Sequence, residues 1–177
     1  MFCSTLGAAP SAPIFPVTRD RECAPHRIVL CFASPLIAEA LQAVIERHTG
    51  CAVIARTTSI EQAVSAELNP GVSALIFDSS SDTPGGIVRR IERMRTQLPA
   101  TALILFTANT GAAFLEAAVS TAVDGCLLQA DARGCLLAAL NAPPGCQYLS
   151  PSVQKRVTAR RQSLARQSIG RLATVPA

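Results

Sequence analysis

One carboxylate follows directly on a strand predicted near the middle of the chain. The apolar, β-branched run Val72–Phe77 leads into Asp78, and a loop rich in serine and glycine, residues 79–86, comes next. In open α/β sheets, ligands and reactions are found at the carboxyl ends of the strands, because loops and helix amino-termini converge there. Asp78 is therefore the first candidate for chemistry, and the groups placed around it decide what that chemistry is.

Few residues near Asp78 in the sequence could share a reaction with it. Asp82, four residues later, could act as a second metal ligand, although a solvated loop acid is the simpler interpretation. Thr107 carries a hydroxyl and lies at the end of another predicted strand. The loop serines and glycines could cradle a phosphate, but the spacings G-x-x-x-x-G-K-[ST] and G-x-G-x-x-G are absent. Asp78 could also simply cap its own loop through backbone N–H groups.

The elements that would position these residues alternate along the chain. From Arg27 onward, short apolar runs alternate with segments of helical period, which is typical of βα units around a parallel sheet. Five such pairs are present, with strands predicted at residues 28–32, 51–55, 72–78, 101–107 and 126–128. The helices after the first and third strands each carry an apolar stripe: Leu36, Ala40, Leu41 and Val44 in one, and Ile87, Ile91 and Met94 in the other. We therefore expect a doubly wound α/β sheet.

The composition favours one soluble domain with tails. A chain of 177 residues, 49% of them hydrophobic, can bury one core of about 100 to 150 residues. The seven cysteines are scattered singly without C-x-x-C spacing, which argues against a metal site or a disulfide framework and fits a reducing cytoplasm. Residues 1–26 lack the pattern of a signal peptide and are predicted to be a flexible leader. No apolar stretch is long enough for a membrane span.

The carboxyl-terminal segment is strongly basic. Residues 151–177 contain six Lys and Arg residues and no acid. A helix beginning near Ser152 is plausible but marginal in isolation. Such a segment is most simply a solvated linker, but it could also bind nucleic-acid phosphates weakly and without sequence preference. The residues expected to make such contacts are Lys155, Arg156, Arg160 and Arg161.

The order of short motifs resembles the receiver domain of bacterial response regulators, in particular the NarL/FixJ (LuxR-type) group. The resemblance covers about residues 27–153 and rests on stretches in the family's order: 27–30 followed by 34–36, Asp78 with Gly86 eight residues on, 105–108, 124–128 and 148–151. It implies a CheY-like, flavodoxin-like (βα)5 fold and a role in phosphorelay signal transduction and transcription regulation. Asp78 takes the place of the family's phosphoacceptor, and Thr107 that of the hydroxyl residue that contacts the phosphoryl group.

Other positions depart from the family's pattern. The two acids that hold Mg²⁺ in the family are replaced by Phe32 and Ala33. Gln129 stands in the place of the lysine that pairs with the phosphate, and Cys126 in that of the switching aromatic residue. Phosphoryl transfer depends on a metal and a cation to neutralise the transferred group, so Asp78 would lack both. We therefore expect no Mg²⁺ and no other cofactor.

These expectations combine into one functional hypothesis. Residues 27–142 would form a pseudo-receiver that acts through a protein partner or as a homodimer, largely independently of phosphorylation, and not as an enzyme. Residues 143–177 would form a basic linker or helical tail, too short for the helix-turn-helix unit that follows receivers of this group. Two alternatives stay open: a phosphorylatable receiver whose metal is recruited by Asp78 and Asp82, and a small flavodoxin-like enzyme.

Overall fold

The computed structural model describes residues 26–48, 50–67, 71–143 and 145–172. The predicted leader therefore lies outside the described residues except for its last one, His26. The elements are β1 (Arg27–Cys31), α1 (Pro35–His48), β2 (Ala52–Thr57), α2 (Ile60–Glu67), β3 (Val72–Phe77), α3 (Pro84–Gln97), β4 (Ala102–Thr107), α4 (Ala112–Val119), β5 (Gly125–Leu128), α5 (Ala132–Leu140), β6 (Tyr148–Leu149) and α6 (Pro151–Leu172).

The strands form one parallel sheet in the order β2-β1-β3-β4-β5-β6. This confirms the predicted doubly wound, flavodoxin-like fold. The prediction of five strands was one short, because the two-residue strand Tyr148–Leu149 pairs with the outer edge of β5. A strand of two residues buries too few side chains to show an alternating pattern in the sequence.

Helices cover both faces of the sheet, which explains why its central strands are almost wholly apolar. On one face, α1 and α5 bury Leu41, Ile45 and Leu136 against β1, β3 and β4. On the other face, α3 buries its predicted stripe, Ile87, Ile91 and Met94, next to residues of α2, α4 and α6. In α1, only Leu41 of the predicted stripe is buried, since Leu36 and Val44 are 75% and 41% exposed. Ala38 and Ile45 complete the buried face of α1 instead.

Helix α6 packs on the domain, so the folded unit extends past residue 142. Val153 and Val157 are buried in the same apolar cluster as α3 and α4. An ion pair between Arg160 Nε and Glu116 Oε2, 2.6 Å long, ties α6 to α4. The first half of the helix is therefore stabilised by tertiary contacts, which offset the weak helical tendency of the isolated segment.

Asp131 fixes the beginning of α6 from a neighbouring turn. Its carboxylate accepts hydrogen bonds from Ser150 Oγ at 2.7 Å, Ser152 Oγ at 2.8 Å and the Ser152 backbone N–H at 3.1 Å. The Ser150 hydroxyl is the largest cause, followed by the Ser152 groups, of an Asp131 pKa below its ordinary value. A lowered pKa means that this stabilisation is present above the unfolded-state pKa and is lost as the pH falls through the folded-state pKa.

No helix in the described part of the chain is long and apolar enough to cross a membrane.

Candidate functional site

Asp78 lies at the carboxyl edge of the sheet, next to the end of β1. Its backbone N–H donates to the carbonyl of Cys31 at 3.1 Å, which continues the pairing of β3 with β1 by one residue. Its side-chain Oδ1 accepts two hydrogen bonds from Ser80, one from the backbone N–H at 3.0 Å and one from Oγ at 2.5 Å. Asp78 therefore caps the turn that follows it, as an Asx residue does.

The Ser80 hydroxyl connects Asp78 to the loop after β4. A hydroxyl has one proton, and here the proton points to the Asp78 carboxylate, which can only accept. Ser80 Oγ must then accept from the Ala108 N–H at 2.9 Å and from Thr107 Oγ1 at 3.2 Å. The structure thus brings Asp78 and Thr107 together through Ser80, a residue to which sequence reasoning gave no role of its own.

Asn109 holds the same two loops together from the other side. Its side-chain N–H donates to the Ser80 carbonyl at 3.4 Å, and its Oδ1 accepts from the Gly111 N–H at 2.9 Å, directly before α4. Its backbone N–H donates to Thr107 Oγ1 at 3.1 Å. The fully buried Thr107 hydroxyl therefore has both a donor and an acceptor, and the Ser80 hydroxyl uses its one proton and both of its lone pairs.

Asp82 is paired with an arginine and largely shielded from solvent. Its carboxylate forms a bidentate pair with Arg90, with Nε to Oδ2 at 2.7 Å and Nη2 to Oδ1 at 3.1 Å. Ser79 Oγ donates to Oδ2 as well, at 2.8 Å. The Asp82 side chain is 17% exposed. Charge-assisted, bidentate pairing of this kind is stronger than a hydrogen bond between neutral groups.

The positions that carry acids in receivers do not form a metal site here. Phe32 is buried and makes an edge-to-face contact with Phe106 at a centroid distance of 6.0 Å, and Ala33 is exposed. Mg²⁺ needs an octahedron of oxygen ligands with at least one or two carboxylates, and Asp82 is taken by Arg90. In the part of the chain that the structure describes, no three His, Cys, Asp or Glu side chains come together as metal ligands. The residues around Asp78 do not fit Mg²⁺.

The remaining two departures lie on β5 and just after it. Cys126 is fully buried in the middle of the strand, and burial raises the pKa of its thiol to about 12. A thiol of this kind is an uncharged core residue. Gln129 is half-buried in the single turn of 3₁₀ helix at residues 129–131, directly after β5. Neither side chain supplies a positive charge at the Asp78 edge.

The four basic residues singled out in the tail do not form one free surface. Arg160 pairs with Glu116, and Arg161 Nε lies 3.6 Å from the other oxygen of the same carboxylate. Arg156 Nη1 donates to the carbonyl of Thr110 at 3.4 Å. Lys155 is exposed. Two of the four cations are thus partly neutralised by the domain itself.

Comparison with known proteins gives structural matches only. Neither the protein-family models nor the curated proteins contain a match to this chain. The isolated receiver domain of RcsB from Salmonella enterica serovar Typhimurium superposes with a TM-score of 0.66 at 20% identity over 76% of this chain and 99% of its own. A LuxR-family two-component response regulator from Aurantimonas sp. SI85-9A1 gives 0.64 at 22% identity over 78% and 99% of the two chains.

A structure of two RcsB dimers bound to two parallel DNAs gives a TM-score of 0.67 at 20% identity, over 76% of this chain and 68% of that one. Because these identities are low, the similarity establishes the fold and says nothing about the chemistry at the carboxyl edge of the sheet. The chain has the fold of the receiver domains found in LuxR-family response regulators.

Proposed function

We propose that this chain is a pseudo-receiver, a cytoplasmic module of two-component signalling and transcription regulation that acts by protein–protein contact and not by accepting a phosphoryl group. The receiver fold supports the signalling class. The observation that carries the rest is Phe32, which fills the place of a metal-binding acid with a core side chain packed on Phe106. We infer that the module is not an enzyme.

The electrostatic argument starts from what phosphoryl transfer requires. The charge that develops on the transferred group must be neutralised by cations already in place, and enzymes use a metal and a lysine or arginine for this. Gln129 is neutral, and Arg90, which lies on the next helix, is already paired with Asp82. Asp78 would therefore repel an incoming phosphate donor without compensation.

Ser80 supports a fixed conformation in place of a phosphorylation switch. Its hydroxyl lies between the Asp78 carboxylate and Thr107, so that Thr107 already has an acceptor on the acid's loop. A phosphoryl group on Oδ1 of Asp78 would have to displace this hydroxyl, breaking its bonds to Asp78, Thr107 and the Ala108 N–H. We propose that the two loops are held together by Ser80 whatever the phosphate supply.

The partner is proposed to be a second copy of the chain or another regulator. One of the RcsB structures contains dimers bound to DNA, and we propose that this chain pairs through a helix face. The exposed positions Leu36 and Val44 give α1 an apolar surface for such a contact. Weak, nonspecific attraction of nucleic acid to the basic face of α6 is a secondary proposal, with Lys155 and Arg156, which are exposed and not paired with Glu116, as its main cations.

Phosphate labelling tests the proposal. The full chain is incubated with acetyl phosphate and Mg²⁺, and its intact mass is followed beside that of a receiver that carries the acids and the lysine. We expect no adduct on this chain and an adduct on the control. The variant Asp78→Asn should give the same spectrum as the wild type.

A near-stoichiometric phosphoryl adduct that Asp78→Asn abolishes would contradict the proposal and restore the phosphorylatable receiver. A flavin or nucleotide that remains bound through purification would instead favour the small flavodoxin-like enzyme.

A further inference from the structure

A polar hollow lies beside the loop of Asp78, between the beginning of α2 and the face of α3 that carries its arginines. Its volume is about 420 Å³, which is within the range of small-ligand sites. Three arginines from one face of α3 converge on it, facing hydroxyls and one acid before and within the first turn of α2. The polar lining residues are Thr58, Ser59, Glu61, Arg89, Arg90 and Arg93.

The hollow carries an excess of positive charge. Its three arginines face two carboxylates: Asp82, which pairs with Arg90, and Glu61, whose Oε1 lies 3.1 Å from Arg93 Nη2 in a largely exposed pair. Such exposed pairs are weak and readily exchanged for another anion. Among the described residues, Arg89 forms no ion pair within 4.0 Å, so its guanidinium has no competing carboxylate. A hydrogen bond from its own backbone, followed by Arg93, the Ser59 hydroxyl and Arg90, holds the pKa of Glu61 below its ordinary value.

The arginine side chains that line the hollow are suited to bind the oxygens of a phosphate group. Guanidinium groups bind phosphate through paired N–H donors, and a helix amino-terminus adds a favourable dipole. Arg89 and Arg93 are four residues apart and therefore on one face of α3, with Arg90 beside them. An apolar or cationic ligand would leave these donors unpaired.

We propose that this hollow binds the phosphate or diphosphate group of a small metabolite, without covalent transfer. The proposal is independent of whether Asp78 accepts a phosphoryl group, because none of the lining residues contacts Asp78. Arg90 belongs both to the hollow and to the Asp82 pair, and Asp82 is bonded to Ser79, which follows Asp78 directly. A bound phosphate would compete with Asp82 for Arg90 and so act on the Asp78 loop.

Pyrophosphate is the probe for this site. The full-length chain is titrated with it at constant ionic strength, and binding is followed by calorimetry and by backbone amide shifts. We expect saturable binding, with the largest shifts at the beginning of α2 and in residues 79–82. Arg89→Gln with Arg93→Gln should lower the affinity by about tenfold or more, since a hydrogen bond to a charged group contributes roughly that factor. Arg47→Gln, an exposed arginine on α1, is the matched control and should change it by less than about twofold.

A variant that is expected to raise the affinity distinguishes a specific site from a loss of folding. Asp82→Asn frees Arg90 and should raise the affinity for pyrophosphate several-fold. Glu92→Gln removes the same charge from an exposed position of α3 without touching the Asp82 pair. Absence of saturation in the wild type would overturn the inference. It would also be overturned if the double arginine variant bound pyrophosphate as tightly as the wild type, or if Glu92→Gln raised the affinity as much as Asp82→Asn. None of these results depends on the labelling of Asp78.

Discussion

Replacing Phe32 by aspartate is expected to lower the free energy of unfolding by at least about 3–5 kcal/mol. Removing a buried phenylalanine side chain costs about that much through lost contacts and the cavity left behind, and a buried carboxyl without partners adds a further penalty. Phe32 is 2% exposed and packs on Phe106. Urea denaturation of the full-length chain, followed by circular dichroism, measures the change.

The neighbouring position provides the control. Ala33 stands in the place of the family's second acid but is exposed, so Ala33→Asp should change the stability by no more than about 0.5 kcal/mol. Equal tolerance of both aspartates would mean that Phe32 does not act as a core residue, and the case for a lost metal site would have to be abandoned.

The double variant Val153→Ala/Val157→Ala is expected to cost about 3–5 kcal/mol. Each substitution removes two buried methyl groups where α6 meets α4 and β5, and each leaves space that the surrounding core can close only in part. Gln154→Ala with Thr158→Ala alters the exposed side of the same turns and should leave the midpoint of unfolding nearly unchanged. If the two double variants unfold alike, α6 contributes nothing to the core.

This result also bears on how the basic tail is to be tested. Deleting the residues after Pro151 would remove Val153 and Val157 along with the arginines, so a loss of nucleic-acid binding could reflect unfolding. Neutralising Lys155 and Arg156 keeps the buried face intact. Arg160 should be left in place because it holds Glu116.

The sequence was sufficient to predict the five longer strands of the sheet and the buried face of α3. The central strands are covered on both sides, so burial leaves an unbroken apolar run such as Leu103–Phe106 that can be recognised without a structure. Helix α1 was less predictable because Leu36 and Val44 are apolar and yet exposed. Their spacing mimics a buried stripe, and only the packing of Ala38, Leu41 and Ile45 on the sheet fixes which side of the helix faces inward.

The positions of Asp78 and Thr107 at strand ends were predicted from the sequence, but the hydrogen bonds that connect them were not. Asp78 and Thr107 follow from their places at strand ends, but the bond from Thr107 to Ser80 joins residues 27 positions apart. Local patterns carry no information about such contacts between adjacent strands. The pairing of Asp82 was missed for the same reason. Asp82 was expected in solvent, and its contact with Arg90 depends on how α3 packs beside the loop. Sequence reasoning could have noted Ser80 as the second residue after an acid, a common Asx-turn position.

Magnesium binding at the Asp78 edge is the most direct test of the central claim, that this acid lacks the companions needed to collect positive charge. Isothermal calorimetry and amide spectra of the full chain are recorded as Mg²⁺ is added to millimolar concentration, with and without beryllofluoride. We expect no saturable heat and no shift of the Asp78, Ser80 or Ala108 amides. A saturable isotherm that Asp78→Asn eliminates, with shifts centred on those three residues, would contradict the account.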